Sequence, residues 1–273
     1  MLDNLPQRRR LRDQPHRFRR GVFLLPSLFT VANLFCGYSC VVYATRADFD
    51  SAALFIAVAM VLDTLDGYLA RLTNSTTAFG VELDSLADVV SFGIAPSVLA
   101  FTWGLWPLQR LGWAVGFLFV AGAAMRLARF NVQARTTAAT SDRRYFVGMP
   151  SPAAAGVIAS TVYLWPYGLQ DRQSALPAVA MVLLPAFLMV STVRFRSVKA
   201  IDVGWRRSSF ILFLAAVGIA VFVLHPRIAL VMLAYGYMCW AIVTWAIGRL
   251  RKAPVPPPRH PAPETPSDTE ARD

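Results

Sequence analysis

The sequence is poor in charged residues and in cysteine. Of its 273 residues only 16% are charged and 56% are hydrophobic, and apolar runs of about 20 residues recur along the chain. This composition excludes an ordinary water-soluble domain and indicates a polytopic membrane protein. The cysteines, Cys36, Cys40 and Cys239, all lie in apolar runs. Their odd number and their spacing exclude a disulfide framework and a cysteine-based metal site.

Eight apolar segments each predict a membrane-spanning helix, so we expect an all-α bundle of about eight transmembrane helices. The segments lie at 22–45, 51–71, 79–103, 112–130, 151–168, 176–195, 208–224 and 228–248. The chain then divides into a basic segment at 1–21, a membrane domain at 22–250 and a disordered, proline-rich tail at 251–273. For the basic segment, an amphipathic helix on the membrane surface and a disordered topogenic tail both fit the sequence.

The positive charge follows the predicted topology. Most of the 27 lysines and arginines lie in the two terminal segments and in the connections after the second, fourth and sixth apolar segments. Positive residues remain on the cytoplasmic side, so both termini are predicted to be cytoplasmic. Topology thus accounts for the net charge of +11, and we expect no nucleic-acid partner.

Four aspartates interrupt two of the most apolar segments. Asp63 and Asp66 are three residues apart, and Asp84 and Asp88 are four apart. Either spacing puts both carboxylates on one helical face. The polar segment 73–78 suits a tight connection between antiparallel helices, so the two pairs are expected to converge near the cytoplasmic face of the membrane.

Bare carboxylates in lipid are costly, at about 2.5–3.5 kcal/mol each on the insertion scale. Divalent cations offset that cost, and hard cations such as Mg²⁺ or Mn²⁺ prefer oxygen ligands. Two such ions per site would clamp a phosphoryl group. Two other interpretations stay open: the acids pair with arginines in a wet cavity, or they lie on the path of a divalent-cation transporter. A transporter should carry polar groups through the whole membrane depth.

Other polar residues in the apolar segments are candidates for the same site. Asn33 either bonds a phosphate, orients a metal ligand or bridges two helices. Arg126 and Arg129 share one helical face, where they either bind an anion or extend toward lipid headgroups. Gly93 and Pro96 predict a distortion that widens a cavity.

The aspartates belong to a longer pattern, D-x2-D-G-x2-A-R-x8-G-x3-D-x3-D, which starts at Asp63 and ends at Asp88. It resembles the signature of the CDP-alcohol phosphotransferases, with every fixed position present. Segments 33–37, 91–96, 126–131 and 146–156 look like the phosphatidylserine synthase branch, and the resemblance covers about residues 22–160. Ser27 and Met149 depart from the commoner asparagine and leucine.

The resemblance implies a homodimeric enzyme of the inner, cytoplasmic membrane that transfers the phosphatidyl group of CDP-diacylglycerol to L-serine and releases CMP. It implies metal binding by Asp63, Asp66, Asp84 and Asp88, with Asp88 also the base for the serine hydroxyl. It implies CDP contacts at Asp66, Gly67, Ala70, Arg71 and Gly80. Candidates for binding the acceptor or a phosphate are Asn33, Arg126, Arg129, Arg143 and Arg144. Glycerol 3-phosphate and inositol phosphate remain alternative acceptors, and their pockets should need more positive charge.

Overall fold

The protein is a helical bundle in a computed structural model that describes residues 24–72, 77–136, 145–191, 194–196 and 208–250. In chain order the elements are α1 (Leu24–Thr45), α2 (Phe49–Leu72), α3 (Ala78–Val89), α4 (Ala95–Ala100), α5 (Arg110–Thr136), β1 (Tyr145–Val147), α6 (Ser151–Leu164), α7 (Arg172–Val190), β2 (Arg194–Arg196), α8 (Ser208–Leu224) and α9 (Pro226–Leu250). Each predicted apolar segment therefore contains a helix. The predictions for the basic segment 1–21 and the tail 251–273 fall outside the described residues.

Five stretches of the described residues are long and apolar enough to cross a membrane. They are Ser27–Thr45, Phe49–Leu69, Ala78–Leu108, Arg110–Gln133 and Arg172–Val190. The chain is therefore an integral membrane protein. Helix α6 is apolar but has only 14 residues, which is about 21 Å of helix. The prediction of about eight membrane-spanning helices is confirmed for these five.

The third span is one helical rod with two widened turns. Helix α3 continues into a π-helical turn at Val90–Ile94, then α4, then a second π-helical turn at Phe101–Leu105. The distortion predicted near Gly93 takes the form of the first π turn. Pro96 lies in the first turn of α4, where a proline is easily tolerated. A β-carbon on Gly93 would lie 3.3 Å from the Ala123 β-carbon of α5, so this turn packs closely on its neighbour.

The helices that carry the aspartates are held against α1. Helix α1 packs along α2 and also contacts α3 and the first π turn, while α6 covers the other side of α2. Small or compact residues such as Cys40, Ala52 and Ala95 are completely buried at these contacts. Small side chains let helix backbones approach closely in a membrane bundle, so α1 fixes the relative position of the two aspartate helices.

A two-stranded ribbon, which the sequence analysis did not predict, joins two connections of the bundle. Strands β1 and β2 pair antiparallel, with Phe146 opposite Phe195. Gly148 follows β1 at φ +88°, and a β-carbon there would lie 2.5 Å from the Met189 carbonyl oxygen. The Met149 amide donates to the Leu188 carbonyl at 3.0 Å. The start of α6 is thereby tied to the end of α7. Among the described residues, the regular elements other than this ribbon are all helical.

An ion pair links two helices at the end of the bundle away from Asp63, Asp84 and Asp88. Arg227 of α9 lies 3.0 Å from Asp50 of α2 and also stacks over the Tyr163 ring of α6 at 4.8 Å. Asp50 and Asp63 are separated by about 20 Å of helix at 1.5 Å per residue. This contact therefore connects three helices without touching the candidate site.

Candidate active site

Three of the four predicted carboxylates converge. Asp63 of α2 and Asp84 and Asp88 of α3 each offer an oxygen, and the three oxygens lie within 4.8 Å of one another. They meet because α2 ends and α3 begins at the same end of the bundle, and because Asp84 and Asp88 lie one turn apart on one face. Asp88 is only 9% exposed.

This donor set fits a hard divalent cation. Magnesium binds oxygen at about 2.0–2.1 Å, so two oxygens on opposite sides of one ion lie about 4.2 Å apart. The observed limit of 4.8 Å is slightly wider, and a small contraction, or a pair of ions spaced at about 3.5–4 Å, would satisfy all three carboxylates. The buried Asp88 Oδ1 has no hydrogen-bond partner among the described residues.

Asp66 is placed differently from the other three. It is 6% exposed and accepts a hydrogen bond from the Thr30 hydroxyl of α1. Among the described residues, Asp66 is not part of the group formed by the oxygens of Asp63, Asp84 and Asp88. The predicted metal role of Asp66 stays a prediction. Thr30 was not predicted as a site residue, although it lies one helical turn from Asn33, and that spacing was the available signal.

The carboxylates line a cavity that also contains an arginine. The cavity has a volume of about 340 Å³, and its wall includes Asp63, Asp84, Asp88 and Arg126. The Arg126 guanidinium donates to the Ser151 hydroxyl at 2.8 Å, so the first residue of α6 fixes the arginine's position. The cavity therefore combines one guanidinium, which is a good partner for anionic groups, with three carboxylates.

Asn131 and Ser85 connect two walls of this cavity. The Asn131 amide of α5 donates to the Ser85 hydroxyl of α3 at 2.9 Å, and that hydroxyl donates to the Val81 carbonyl at 3.0 Å. Both side chains line the cavity. The sequence analysis did not select either residue, because a single hydroxyl or amide near a helix end is common outside active sites.

Asn33 lies beside Asp88 and away from the open part of the cavity. It is completely buried in α1, and its amide is near enough to the Asp88 carboxylate to interact with it. Its contact with an acidic residue favours the predicted orienting role over direct phosphate binding.

The remaining predicted residues are less closely associated with the cavity. Arg129 donates to the Val190 carbonyl at 3.1 Å, at the end of α7, and it is not among the residues that line the cavity. Gly80 lies in the first turn of α3, where its amide donates to the Thr77 hydroxyl at 3.0 Å. Gly67 is half-buried in α2. Arg143, Arg144 and the side chains of Ala70 and Arg71 lie outside the described part of the structure.

A second, larger cavity adjoins the polar one. It has a volume of about 570 Å³ and is lined almost entirely by apolar residues of α2, α6, α8 and α9, among them Met60, Gly156 and Leu233. Met60 precedes Asp63 by one turn. Tyr237 lines the apolar cavity and interacts electrostatically with Arg126 of the polar cavity. The walls of the two cavities are therefore neighbours near Asp63 and Arg126.

The sequence is similar to those of known proteins. A family model described as CDP-alcohol phosphatidyltransferase matches residues 23–193. A CDP-diacylglycerol–serine O-phosphatidyltransferase of Helicobacter pylori is 38% identical over 82% of this chain and 92% of its own length. An enzyme of the same name from Mycobacterium tuberculosis is 33% identical over 82% of this chain and 79% of its own length. An archaetidylserine synthase of Methanothermobacter thermautotrophicus is 31% identical over 63% of this chain and 69% of its own length.

Proposed function

The chain belongs to the CDP-alcohol phosphatidyltransferase family, and on this premise we propose that it transfers the phosphatidyl group of CDP-diacylglycerol to the hydroxyl of L-serine, giving phosphatidylserine and CMP. The names of its relatives support the choice of donor and acceptor. The observation that carries the chemistry is the convergence of Asp63, Asp84 and Asp88 within 4.8 Å beside a cavity.

The reaction is a direct displacement at phosphorus. The serine hydroxyl oxygen forms a bond to the phosphorus that carries diacylglycerol, and the bond from that phosphorus to the CMP oxygen breaks. Asp88 accepts the hydroxyl proton, because its carboxylate lines the cavity in which the acceptor would lie. CMP leaves with the bonding electron pair. No covalent intermediate with the protein is required.

Asp63, Asp84 and Asp88 would hold two divalent cations, Mg²⁺ or Mn²⁺, with Asp66 as the fourth predicted ligand. When bound, these ions neutralise the donor pyrophosphate and make CMP a better leaving group. The Thr30 hydroxyl bonded to Asp66 restricts the orientation of that carboxylate.

We place the CMP part of the donor against Asp66, Gly67, Ala70, Arg71 and Gly80. Gly80 supports this placement, because it lies in the first turn of α3, where backbone N–H groups carry partial positive charge. The apolar cavity of about 570 Å³ would receive the donor's acyl chains. Its junction with the polar cavity near Asp63 allows the chains and the pyrophosphate to bind at the same time.

We assign the serine carboxylate to Arg126. The Ser151 hydroxyl holds one nitrogen of the guanidinium at 2.8 Å, and a guanidinium carries further N–H groups that suit a bidentate contact with a carboxylate. Arg129 is a weaker candidate, because one of its nitrogens is bonded to the end of α7. Arg143 and Arg144 remain predictions from the sequence.

The positive residues support a site near the cytoplasmic face, with both termini in the cytoplasm. In this orientation the lipid donor enters from the bilayer and serine enters from the cytosol. The homodimer implied by the family resemblance stays a prediction.

The test is CMP release from CDP-diacylglycerol by the purified full chain in detergent, with Mg²⁺ or Mn²⁺. L-serine, glycerol 3-phosphate and inositol phosphate are supplied in separate reactions. Release that depends on serine, and that is lost in Asp84→Asn, is the expected result. CMP release only with a phosphorylated acceptor would support the proposed reaction but refute serine as the acceptor. A protein that binds no donor, but moves Mn²⁺ into reconstituted vesicles, would support cation transport.

A further inference from the structure

One face of α1 contacts both aspartate helices through neutral polar groups. Thr30 donates to Asp66 of α2, and one turn further on the Asn33 carbonyl accepts from the Ser91 hydroxyl at 2.9 Å. Another turn further on, a β-carbon on Gly37 would lie 2.6 Å from the Ser91 Oγ and 2.8 Å from the Ser91 Cα. At this face, which we call the α1 polar face (Thr30, Asn33 and Gly37), α1 lies in close contact with the first π turn.

The Asn33 side chain is the unexplained group on this face. It is completely buried, and neither its Nδ2 nor its Oδ1 makes a hydrogen bond among the described residues. An unsatisfied buried amide is destabilising and needs a reason. The Asp88 Oδ1 is also buried and unpartnered, and the two side chains are near enough to interact.

The backbone geometry directs Asn33 toward Asp88. Helices α1, α2 and α3 belong to three consecutive membrane spans. Consecutive spans cross the membrane in alternating directions, so α1 and α3 run in the same direction. Ser91, which contacts the Asn33 carbonyl, lies one turn after Asp88. Side chains on a helix lean toward its N-terminus, so the Asn33 amide leans from the level of Ser91 toward the level of Asp88. The two side chains are near one another but do not form a hydrogen bond in this structure. Hydrogen bonds at catalytic sites are often long without substrate and shorten when the substrate binds.

We propose that Asn33 is a positioning residue that donates a hydrogen bond from Nδ2 to one oxygen of Asp88 and so directs the other oxygen toward the bound cation. The proposal rests on the cation site of the proposed function but not on the identity of the acceptor. The close contact of Gly37 and Ser91 keeps α1 in the register that this bond requires. Asn33 does not touch substrate in this role.

Direct measurement of Mn²⁺ binding, by the free Mn²⁺ signal in electron paramagnetic resonance without any substrate, tests the proposal. Leucine has the same branched arrangement of side-chain heavy atoms as asparagine but cannot donate, so Asn33→Leu removes the bond without leaving a cavity. Loss of a residue that orients a metal ligand weakens metal binding by about 10–100-fold, and we expect this loss in Asn33→Leu. The thermal midpoint in detergent should remain close to that of the wild type.

Ser97→Ala is the matched control, because it removes another buried hydrogen bond between helices, from the Ser97 hydroxyl to the Gly116 carbonyl at 2.9 Å. Mn²⁺ affinity should be unchanged in this variant. If Asn33→Leu does not fold, Asn33→Ala is measured in its place, with the same expected loss.

Wild-type affinity in a folded Asn33→Leu variant would overturn the inference and leave the proposed function intact. Absence of Mn²⁺ binding by the wild type would overturn the cation site and the inference together. If the wild type binds Mn²⁺ but does not use serine, an affinity loss in Asn33→Leu still supports the positioning role, for a different acceptor.

Discussion

Replacing Gly37 by alanine should separate α1 from the first π turn. The new β-carbon would lie 2.8 Å from the Ser91 Cα, and ordinary contact begins at 3.4 Å. Because the Ser91 Cα is a backbone atom, a change of side-chain rotamer cannot relieve this contact. The helices themselves must move apart.

The cost can be worked out against a second glycine. Overpacking of this kind costs about 1–3 kcal/mol, whereas alanine in place of a helical glycine gains about 1 kcal/mol of helix propensity. Gly236 of α9 provides the matched control, because a β-carbon there would meet nothing within 4 Å. The propensity gain is common to both variants, so Gly37→Ala should be less stable than Gly236→Ala by about 1–3 kcal/mol.

Activity should fall together with stability in Gly37→Ala. The same displacement carries Thr30 and Asn33 away from Asp66 and Asp88, and a misplacement near 1 Å costs about 10²-fold in rate. We expect CMP release to fall by about 10–100-fold at a temperature where the variant is still folded. The assays are thermal unfolding in detergent and CMP release at saturating donor. Equal stability and equal turnover in Gly37→Ala and Gly236→Ala would refute the close approach of α1 and the π turn.

Three further predictions concern the two cavities. Asp84→Asn should remain folded by circular dichroism and lose Mn²⁺ binding, because an amide is a poor and uncharged ligand for a hard cation; unchanged turnover would contradict the metal assignment. Arg126→Lys should raise the KM for serine by about tenfold or more, since lysine cannot make a bidentate contact and cannot hold Ser151 in the same way. An effect on the KM of the donor alone would show that Arg126 binds the donor phosphate and not the serine carboxylate. Gly156→Leu should impair long-chain CDP-diacylglycerol but spare a short-chain donor, because a β-carbon there already lies 3.4 Å from Met60 Cε in the apolar cavity; equal impairment of both donors would exclude acyl-chain binding there.

The helical fold could be predicted from the sequence because the bilayer requires long apolar segments. The ends of the helices were less predictable. The third segment was expected to end at 103, but the rod continues to Leu108 through a second π turn, because hydropathy does not register a change in hydrogen-bond spacing. The segment expected at 151–168 ends as a helix at Leu164. The ribbon escaped prediction because each strand has three residues and its partner is about 50 positions away.

At the site, sequence spacing was sufficient to place side chains on one face of a single helix. It was insufficient to predict which side chains of different helices contact one another. Asp84 and Asp88 could be placed on one face from their separation of four residues, and their convergence with Asp63 is confirmed. The contacts from Thr30 to Asp66, from Arg126 to Ser151 and from Asn131 to Ser85 depend on how different helices are rotated against one another. No pattern within a single segment contains that information.

The apolar cavity beside Met60 and Gly156 has a consequence for the way the enzyme encounters its two substrates. A donor that reaches the site through this apolar cavity never leaves the bilayer, so its effective concentration is its mole fraction among the surrounding lipids. Serine arrives from water and obeys an ordinary molar concentration. Added detergent or inert lipid should therefore slow the reaction by diluting the donor in two dimensions, while the dependence on serine keeps its bulk units.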